Sequence, residues 1–244
     1  MKNICLHSDI KVPEINSYRL PSHVGIIMDG NGRWAKNKGF IRTEGHKAGE
    51  GVLIDFIAGA IELGIKAISF YAFSTENWSR PKTEVNFLMR FSRKIIHQRR
   101  DILNSWGVKI VWSGRKQKLW KSVYNEIQEA MEMTKNNQTI LVNFCINYGG
   151  QLEIVDAVNN LINNGKKTIT VKDISKNLYN PQIRPVDLII RTSGEKRFSN
   201  FLLWDSAYAE FDYINKLWPD CTRQDLFSSI VSYSQRSRRF GREK

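Results

Sequence analysis

Apolar residues along this chain fall into short β-branched runs separated by longer amphipathic stretches. The run His23-Val24-Gly25-Ile26-Ile27 carries no acid or lysine, the pattern of a strand buried on both faces. Comparable runs predict strands at 24–28, 66–73, 108–112, 140–146, 187–191 and 210–214. Helical patterns between them predict helices at 44–63, 84–105, 117–134, 150–163, 170–178 and 223–238. Gly64 stands where a glycine just past a helix end belongs, and Thr170 with Asp173 has the form of a capping box. Strands alternating with helices predict an α/β fold, a single domain with a central, mostly parallel six-stranded sheet flanked by helices. Residues 1–20 are polar and irregular and read as a flexible N-terminal arm before a folded domain over 21–244. There is no internal repeat, and the stretch Asn177–Pro185, with two prolines, reads as a loop.

Composition narrows the class. The chain has 244 residues, 41% hydrophobic and 25% charged, ordinary values for a soluble globular protein. No apolar stretch approaches the roughly 20 residues of a membrane span, and the N-terminus lacks the layout of a signal peptide. Cys5, Cys145 and Cys221 show no metal-ligand spacing, nor do His7, His23, His46 and His97. A cytoplasmic location with free thiols is the simple expectation. The net charge is +13. Between Leu88 and Ser122 stand ten Lys or Arg and one acid, Asp101. That patch suits nucleic acid, an anionic membrane, a phosphorylated substrate or simply water. Trp106, Trp112 and Trp120 near it form no RNA-binding signature, so no nucleic-acid partner is expected.

The run Met28-Asp29-Gly30-Asn31-Gly32-Arg33-Trp34 follows the first predicted strand directly. Glycines there let a backbone approach a ligand and leave amides free to point at it. An arginine beside such amides suits a phosphate, and a lone aspartate beside a phosphate suits magnesium. A tight turn with Asp29 as helix N-cap would use the same residues. The pattern is neither a Walker loop nor a dinucleotide fingerprint. Other polar loops follow the second strand (Ser74-Thr75-Glu76-Asn77-Trp78-Ser79-Arg80-Pro81), the fourth (Asn147-Tyr148-Gly149-Gly150) and the fifth (Arg191 through Asn200). Ligands of α/β folds bind beyond the carboxyl ends of the strands, so these loops are expected to share an active site. The loops supply Arg33, Arg42, Arg80, Arg191, Arg197, Ser74 and Ser199, a natural shell for two diphosphates. Asp29 and Glu210 could hold magnesium. No nucleophile elbow or Ser-His-Asp order is present, which favours leaving-group stabilisation over covalent catalysis.

Together these motifs resemble the cis-prenyltransferases, the undecaprenyl diphosphate synthase family. The matching runs are His23–Ala35, Gly45-His46-Lys47-Ala48-Gly49, Phe73–Pro81 with Glu84-Val85, Asn147–Gly150 and Asp187–Glu210, in family order. The segments Arg42-Thr43-Glu44-Gly45-His46, Arg99-Arg100-Asp101 and Leu119-Trp120-Lys121-Ser122 further resemble the actinobacterial decaprenyl diphosphate synthases.

The resemblance implies a prenyltransferase that condenses isopentenyl diphosphate onto an allylic diphosphate, geranyl or farnesyl, with each new double bond cis. A long decaprenyl or undecaprenyl product would serve as lipid carrier for cell-wall sugars. It implies Mg2+ as cofactor, a homodimer, and possible peripheral contact with the membrane. Asp29 would coordinate magnesium and help the allylic diphosphate leave. Gly30, Asn31, Gly32, Arg33 and Arg42 would bind that diphosphate, with Trp34 and His46 beside it. Ser74 and Asn77 would position the reactants or take part in proton removal, and Asn77 is counted with Asp29 as catalytic. Thr75 and Glu76 join the substrate-binding set. Trp78 would stack on substrate or close the loop that Arg80 and Glu84 hold. Arg191, Arg197 and Ser199 would grip isopentenyl diphosphate. Glu210 would complete the magnesium site across a dimer interface, and Arg239-Phe240-Gly241 would reach toward the partner's site. Ala72, Leu88, Phe91 and Ile95 would line an apolar tunnel, although Ser92 and the basic residues of 90–100 depart from the family pattern. The alternatives are a short-chain cis-prenyl diphosphate synthase and a non-catalytic partner subunit. The second is disfavoured because such subunits lose the Asp-Gly-Asn-Gly-Arg loop that this chain keeps.

Overall fold

A computed structural model describes residues 10–236. Its strands are β1 (His23–Ile27), β2 (Ala67–Ser74), β3 (Val108–Ser113), β4 (Ile140–Tyr148), β5 (Leu188–Arg191) and β6 (Glu210–Tyr213). Its α-helices are α1 (Asn31–Asn37), α2 (Arg42–Glu62), α3 (Lys82–Ser105), α4 (Lys121–Thr134), α5 (Gly150–Asn163), α6 (Val171–Asn177) and α7 (Arg223–Gln235). The strands form a six-stranded sheet in the order β3-β4-β2-β1-β5-β6. The expected arm at 1–20 lies partly outside the described residues; among its described residues Ser17–Arg19 forms a short 3-10 turn. The motif at 239–241 also lies outside them. No described helix is long and apolar enough to cross a membrane.

The chain divides into two compact units that interleave along the sequence. The first draws on 1–68, 185–196 and 205–244, the second on 69–184 and 197–204. In the first, β1 is buried over its whole length and pairs in parallel with β5, which pairs in parallel with β6. The Asp187 carboxylate accepts from the Ser22 and His23 amides at 2.8 and 3.2 Å and fixes the start of β1. In the second, β3 and β4 pair in parallel from Val108↔Ile140 to Ser113↔Cys145. Its core joins Phe73, Val85, Leu88, Met89, Val123, Ile127 and Ile146, with Ala72 and Trp78 packed against it. Two arginines of the basic patch are paired with acids in the same unit. Arg100 pairs with Glu126 and Glu129, and Arg115 with Asp156.

All six predicted strands are present with small shifts of their ends. Gly64 does end α2, with φ of +75°, and Thr170 and Asp173 do form a capping box. Two helices differ from expectation. Helix α1 was not among the predicted helices, because its seven residues bury only Ala35 and show no apolar period. Helix α4 begins at Lys121 rather than 117, because Lys118 takes a left-handed φ of +67°. Helix α7 is described as far as Gln235, and the remainder of 223–238 lies outside the described residues.

Helix α1 sits where it does because α2 offers it a smooth face. A Cβ on Gly45 would lie 1.9 Å from the Asn31 carbonyl oxygen. One on Gly49 would lie 2.5 Å from the Trp218 ring and 2.8 Å from Asn31 Oδ1. Trp218 fills the junction and donates its indole N–H to the Gly49 carbonyl at 2.9 Å. Gly45→Ala should therefore push α1 off α2. A loss of about 1–3 kcal/mol of stability in denaturant unfolding is expected, with a larger fractional loss of turnover because α1 carries Arg33. An alanine variant as stable as wild type would show that the helices separate freely.

Candidate active site

In the first unit the residues of interest gather where β1 ends. The backbone of Asp29 is locked on both sides. Its amide donates to Thr192 Oγ1 at 2.9 Å, while its carbonyl accepts from Thr192 Oγ1 at 2.6 Å and from the Trp218 amide at 3.0 Å. Its side chain is held as firmly. Oδ1 accepts from the Gly30 amide at 2.7 Å, and Oδ2 accepts from Arg191 Nη2 at 2.8 Å with Arg33 Nη2 at 3.5 Å. Burial raises the Asp29 pKa, but the Arg191 guanidinium and the Ser193 and Gly30 donors outweigh it and hold the carboxyl below its ordinary value. Asp29 is thus an anion at any physiological pH. Asp29 is not the helix N-cap. That position is Gly30, at a φ of +106°, where a Cβ would strike Leu217 at 2.9 Å.

Arg33 extends from α1 over the loop after β5. Its guanidinium donates to Ser193 Oγ at 2.5 Å and to the Ser193 carbonyl at 3.3 Å, and pairs with Glu195 at 3.3 Å. Ser193 and Gly194 both take positive φ, which turns this loop back toward α1. Arg42 lies over Gly32, whose missing side chain leaves 3.1 Å to the Arg42 Nε from where a Cβ would stand. Two cationic side chains therefore flank the Gly30–Gly32 backbone. Asn31 donates to the Met28 carbonyl at 3.1 Å, and His46 stands half-buried in the second turn of α2. Trp34 is engaged elsewhere, donating to Asp220 at 2.7 Å under the Lys38 ammonium.

In the second unit the 3-10 turn Thr75–Ser79 follows β2. Ser74 and Asn77 close it reciprocally as a capping box, with the Ser74 amide donating to Asn77 Oδ1 at 3.1 Å. Trp78 is pinned from two sides. Its ring meets Phe73 edge-on at 5.0 Å, and its N–H donates to Asn147 Oδ1 at 2.7 Å. Asn147 holds a left-handed φ of +54° while its own amide donates to the carbonyls of Arg115 and Gln117. This placement makes Trp78 a fixed part of the loop. Arg80 pairs with Glu84 at 2.9 Å across the start of α3. Arg197 and Ser199 lie exposed on the loop 197–204, which Tyr71 fastens by donating to the Ser199 carbonyl at 3.1 Å.

Register and burial change the picture at two places. Within one chain Glu210, expected at a magnesium site across a dimer interface, does not meet Asp29. Register sets Glu210 opposite Leu188 and Leu188 opposite Val24, so Glu210 is level with Val24, five residues before Asp29. At about 3.3 Å per residue that is ~16 Å along the sheet. Glu210 instead pairs with Arg236 at 3.0 Å. Among the described residues no group of three or more His, Cys, Asp or Glu could hold a metal. The second change concerns Arg191. It is 4% exposed and faces Asp29, so Asp29 has a structural duty that its sequence context hid. Thr192, Ser193 and Glu195 are further members of this cluster; their place between Arg191 and Arg197 was the only signal for them.

The arrangement defines an α/β protein in which glycine backbone, Arg33, Arg42 and Arg191 and the Asp29 carboxylate meet beyond a parallel strand. The chain belongs to the prenyltransferase family whose model, described as "Putative undecaprenyl diphosphate synthase", matches residues 27–241. It is 54% identical over 237 residues to an isoprenyl transferase of Bifidobacterium longum, covering 95% of this chain and 90% of that one. It is 52% identical over 229 residues to the decaprenyl diphosphate synthase of Mycobacterium tuberculosis, covering 91% and 77%. Among solved structures, lavandulyl diphosphate synthase from Lavandula x intermedia in complex with dimethylallyl diphosphate superposes with a TM-score of 0.88. That match is at 31% identity over 93% of this chain and 100% of that one.

The depressed Asp29 pKa fixes the sign of a pH effect. A carboxylate whose folded pKa lies below its unfolded value stabilises the fold fully above about pH 4 and loses that contribution as pH falls through the folded value. Wild type should therefore lose thermal stability more steeply below pH 4 than Asp29→Asn. Between pH 5 and 8 the two should run parallel. Melting curves across pH 2.5–8 check this, and parallel curves throughout would remove the ion pair from the stability of the site.

Proposed function

We propose that this protein is a cis-prenyltransferase that condenses isopentenyl diphosphate onto an allylic diphosphate and repeats the step to a long polyprenyl diphosphate. The observation that carries the reading is the Asp29 cluster, an ionised carboxylate fixed among Gly30, Arg33, Arg42 and Arg191 beyond β1. Such a group of donors suits the diphosphate of the allylic substrate, whose departure builds negative charge that guanidinium groups offset. Arg33 and Arg42 bind that diphosphate in this reading, and the Gly30–Gly32 backbone approaches it closely. Asp29 has lone pairs to spare for Mg2+, which needs one or two carboxylates besides phosphate oxygens. When bound, that ion would neutralise the departing pyrophosphate. Glu210 could contribute to it only from a second copy of the chain, which makes a homodimer part of the proposal.

Arg197 and Ser199, exposed on their loop, receive isopentenyl diphosphate. Asn77 is an amide without basicity, so its role is to orient reactants while the released pyrophosphate takes the proton. Ala72 and Leu88 belong to the core region of the second unit, and Phe91 and Ile95 stand half-buried farther along α3. This apolar stretch supports a tunnel for a growing chain of about ten or eleven isoprene units, the length implied by resemblance to decaprenyl and undecaprenyl synthases. So apolar a product gives a reason for peripheral contact with a membrane.

Radiolabelled isopentenyl diphosphate with geranyl or farnesyl diphosphate and magnesium tests the proposal directly. Arg197→Ala should raise the KM for isopentenyl diphosphate about tenfold or more, as expected for losing one charge-assisted hydrogen bond of about 1.5–3 kcal/mol. A rise in the allylic KM alone would reverse the assignment of the two diphosphates. Ala72→Leu should shorten the products at similar total incorporation, because a packed interior tolerates little added volume. Chromatography of dephosphorylated products reads the length. Wild-type products of three or four units would replace the long-chain reading with a short-chain one.

A further inference from the structure

The loop 197–204 holds an unusual amount of left-handed backbone for residues with side chains. Ser199, Asn200 and Leu202 have φ of +49°, +64° and +45°. Such conformations persist only where surrounding bonds over-determine them. Asn200 supplies those bonds. Its carbonyl accepts from the Gly150 amide and its Oδ1 from the Gln151 amide, both at 2.8 Å, which ties it to the first turn of α5. Its Nδ2 reaches the other way and donates to Glu76 Oε1 at 2.8 Å. Gly149 leaves room for this crossing, since a Cβ there would lie 2.8 Å from Asn200 Nδ2 and 2.6 Å from Thr75 Oγ1. Glu76 Oε1 is therefore engaged by Asn200. Ser74 and Asn77 lie on one side of this bond, Arg197 and Ser199 on the other.

We propose that Asn200 and Glu76 form a positioning pair that sets the loop bearing Arg197 and Ser199 against the turn bearing Ser74 and Asn77. Neither residue touches the reacting atoms in this assignment; both act through the residues beside them. The assignment rests on the proposed function, because it presumes that isopentenyl diphosphate is held by Arg197 and Ser199.

The polarity of the bond supplies the test. Asn200→Asp keeps the acceptor for the Gln151 amide but sets two carboxylates face to face. It should lower kcat/KM for isopentenyl diphosphate about tenfold or more at pH 8. Lowering the pH should restore much of the loss, because one shared proton rebuilds the bond. Tyr71 is the titratable neighbour that feels the Glu76 charge; burial first and that charge second push its phenol far above its ordinary value, so it stays neutral throughout. Exchanging the two groups, Glu76→Gln with Asn200→Asp, puts the donor on the other side and should recover activity to within about threefold of wild type. Asn200→Gly, which accepts the left-handed φ, should stay folded by circular dichroism yet show a raised KM with no pH recovery. A double variant no better than folded Asn200→Asp at any pH would overturn the pairing. Wild-type protein that leaves isopentenyl diphosphate unconsumed would instead overturn the proposed function on which it rests.

Discussion

The contact between Asp29 and Arg191 is the constraint on which the first unit's site depends. Arg191 ends β5 and is buried, so its charge needs a facing anion. Asp29 leaves β1 one strand away, where the parallel pairing Ile27↔Arg191 delivers it. The pair therefore forms because two strands align. Thr192 clasps the Asp29 backbone from both sides and prevents the loop from turning away. Asp29 is held by the Gly30 amide and Arg191, while Arg33 and Arg42 lie along the glycine backbone. In the proposed reading a diphosphate would meet preorganised donors there, which is how electrostatic stabilisation avoids reorganisation at the moment of reaction.

Glycines give this edge its shape by absence. Gly45 and Gly49 on α2 let α1 lie almost in backbone contact, so a helix of seven residues, too short to be stable alone, is held by its neighbour. Gly30 supplies the positive φ that turns β1 into α1 beneath Leu217. The same device recurs in the second unit, where Gly149 makes space for Thr75 and Asn200. There the polar asparagines do the fastening. Asn77 closes its own turn, Asn147 pins Trp78, and Asn200 reaches Glu76. Asparagine suits these places because it tolerates left-handed backbone and carries both a donor and an acceptor.

Much of this was legible in the order of residues. Six predicted runs became six strands; β1 and β5 are buried along their whole length, as near-continuous apolar runs are in a parallel sheet. The glycine-rich run after the first strand, the Ser74–Pro81 segment and the loop after Arg191 carried enough specific chemistry to name the family. A local bond was legible as well: the Thr170 capping box lies within four residues and follows from spacing alone.

Tertiary structure decided what depends on partners far apart in the chain. Nothing near Asp29 announces a bond to a residue 162 positions later, or that removing its charge strands a buried arginine. Glu210 was expected at a magnesium site across a dimer interface; only strand register shows that within its own chain it stands level with Val24, against Arg236. Helix α1 has no apolar period to reveal it, since its stability comes from α2 and Trp218. The duties of Glu76 and Trp78 were ambiguous for the same reason: a polar or aromatic side chain in a loop serves whatever the fold brings to it. Periodicity and short spacings are properties of the chain by itself, whereas charge pairing and close approach are properties of the strands once they have aligned.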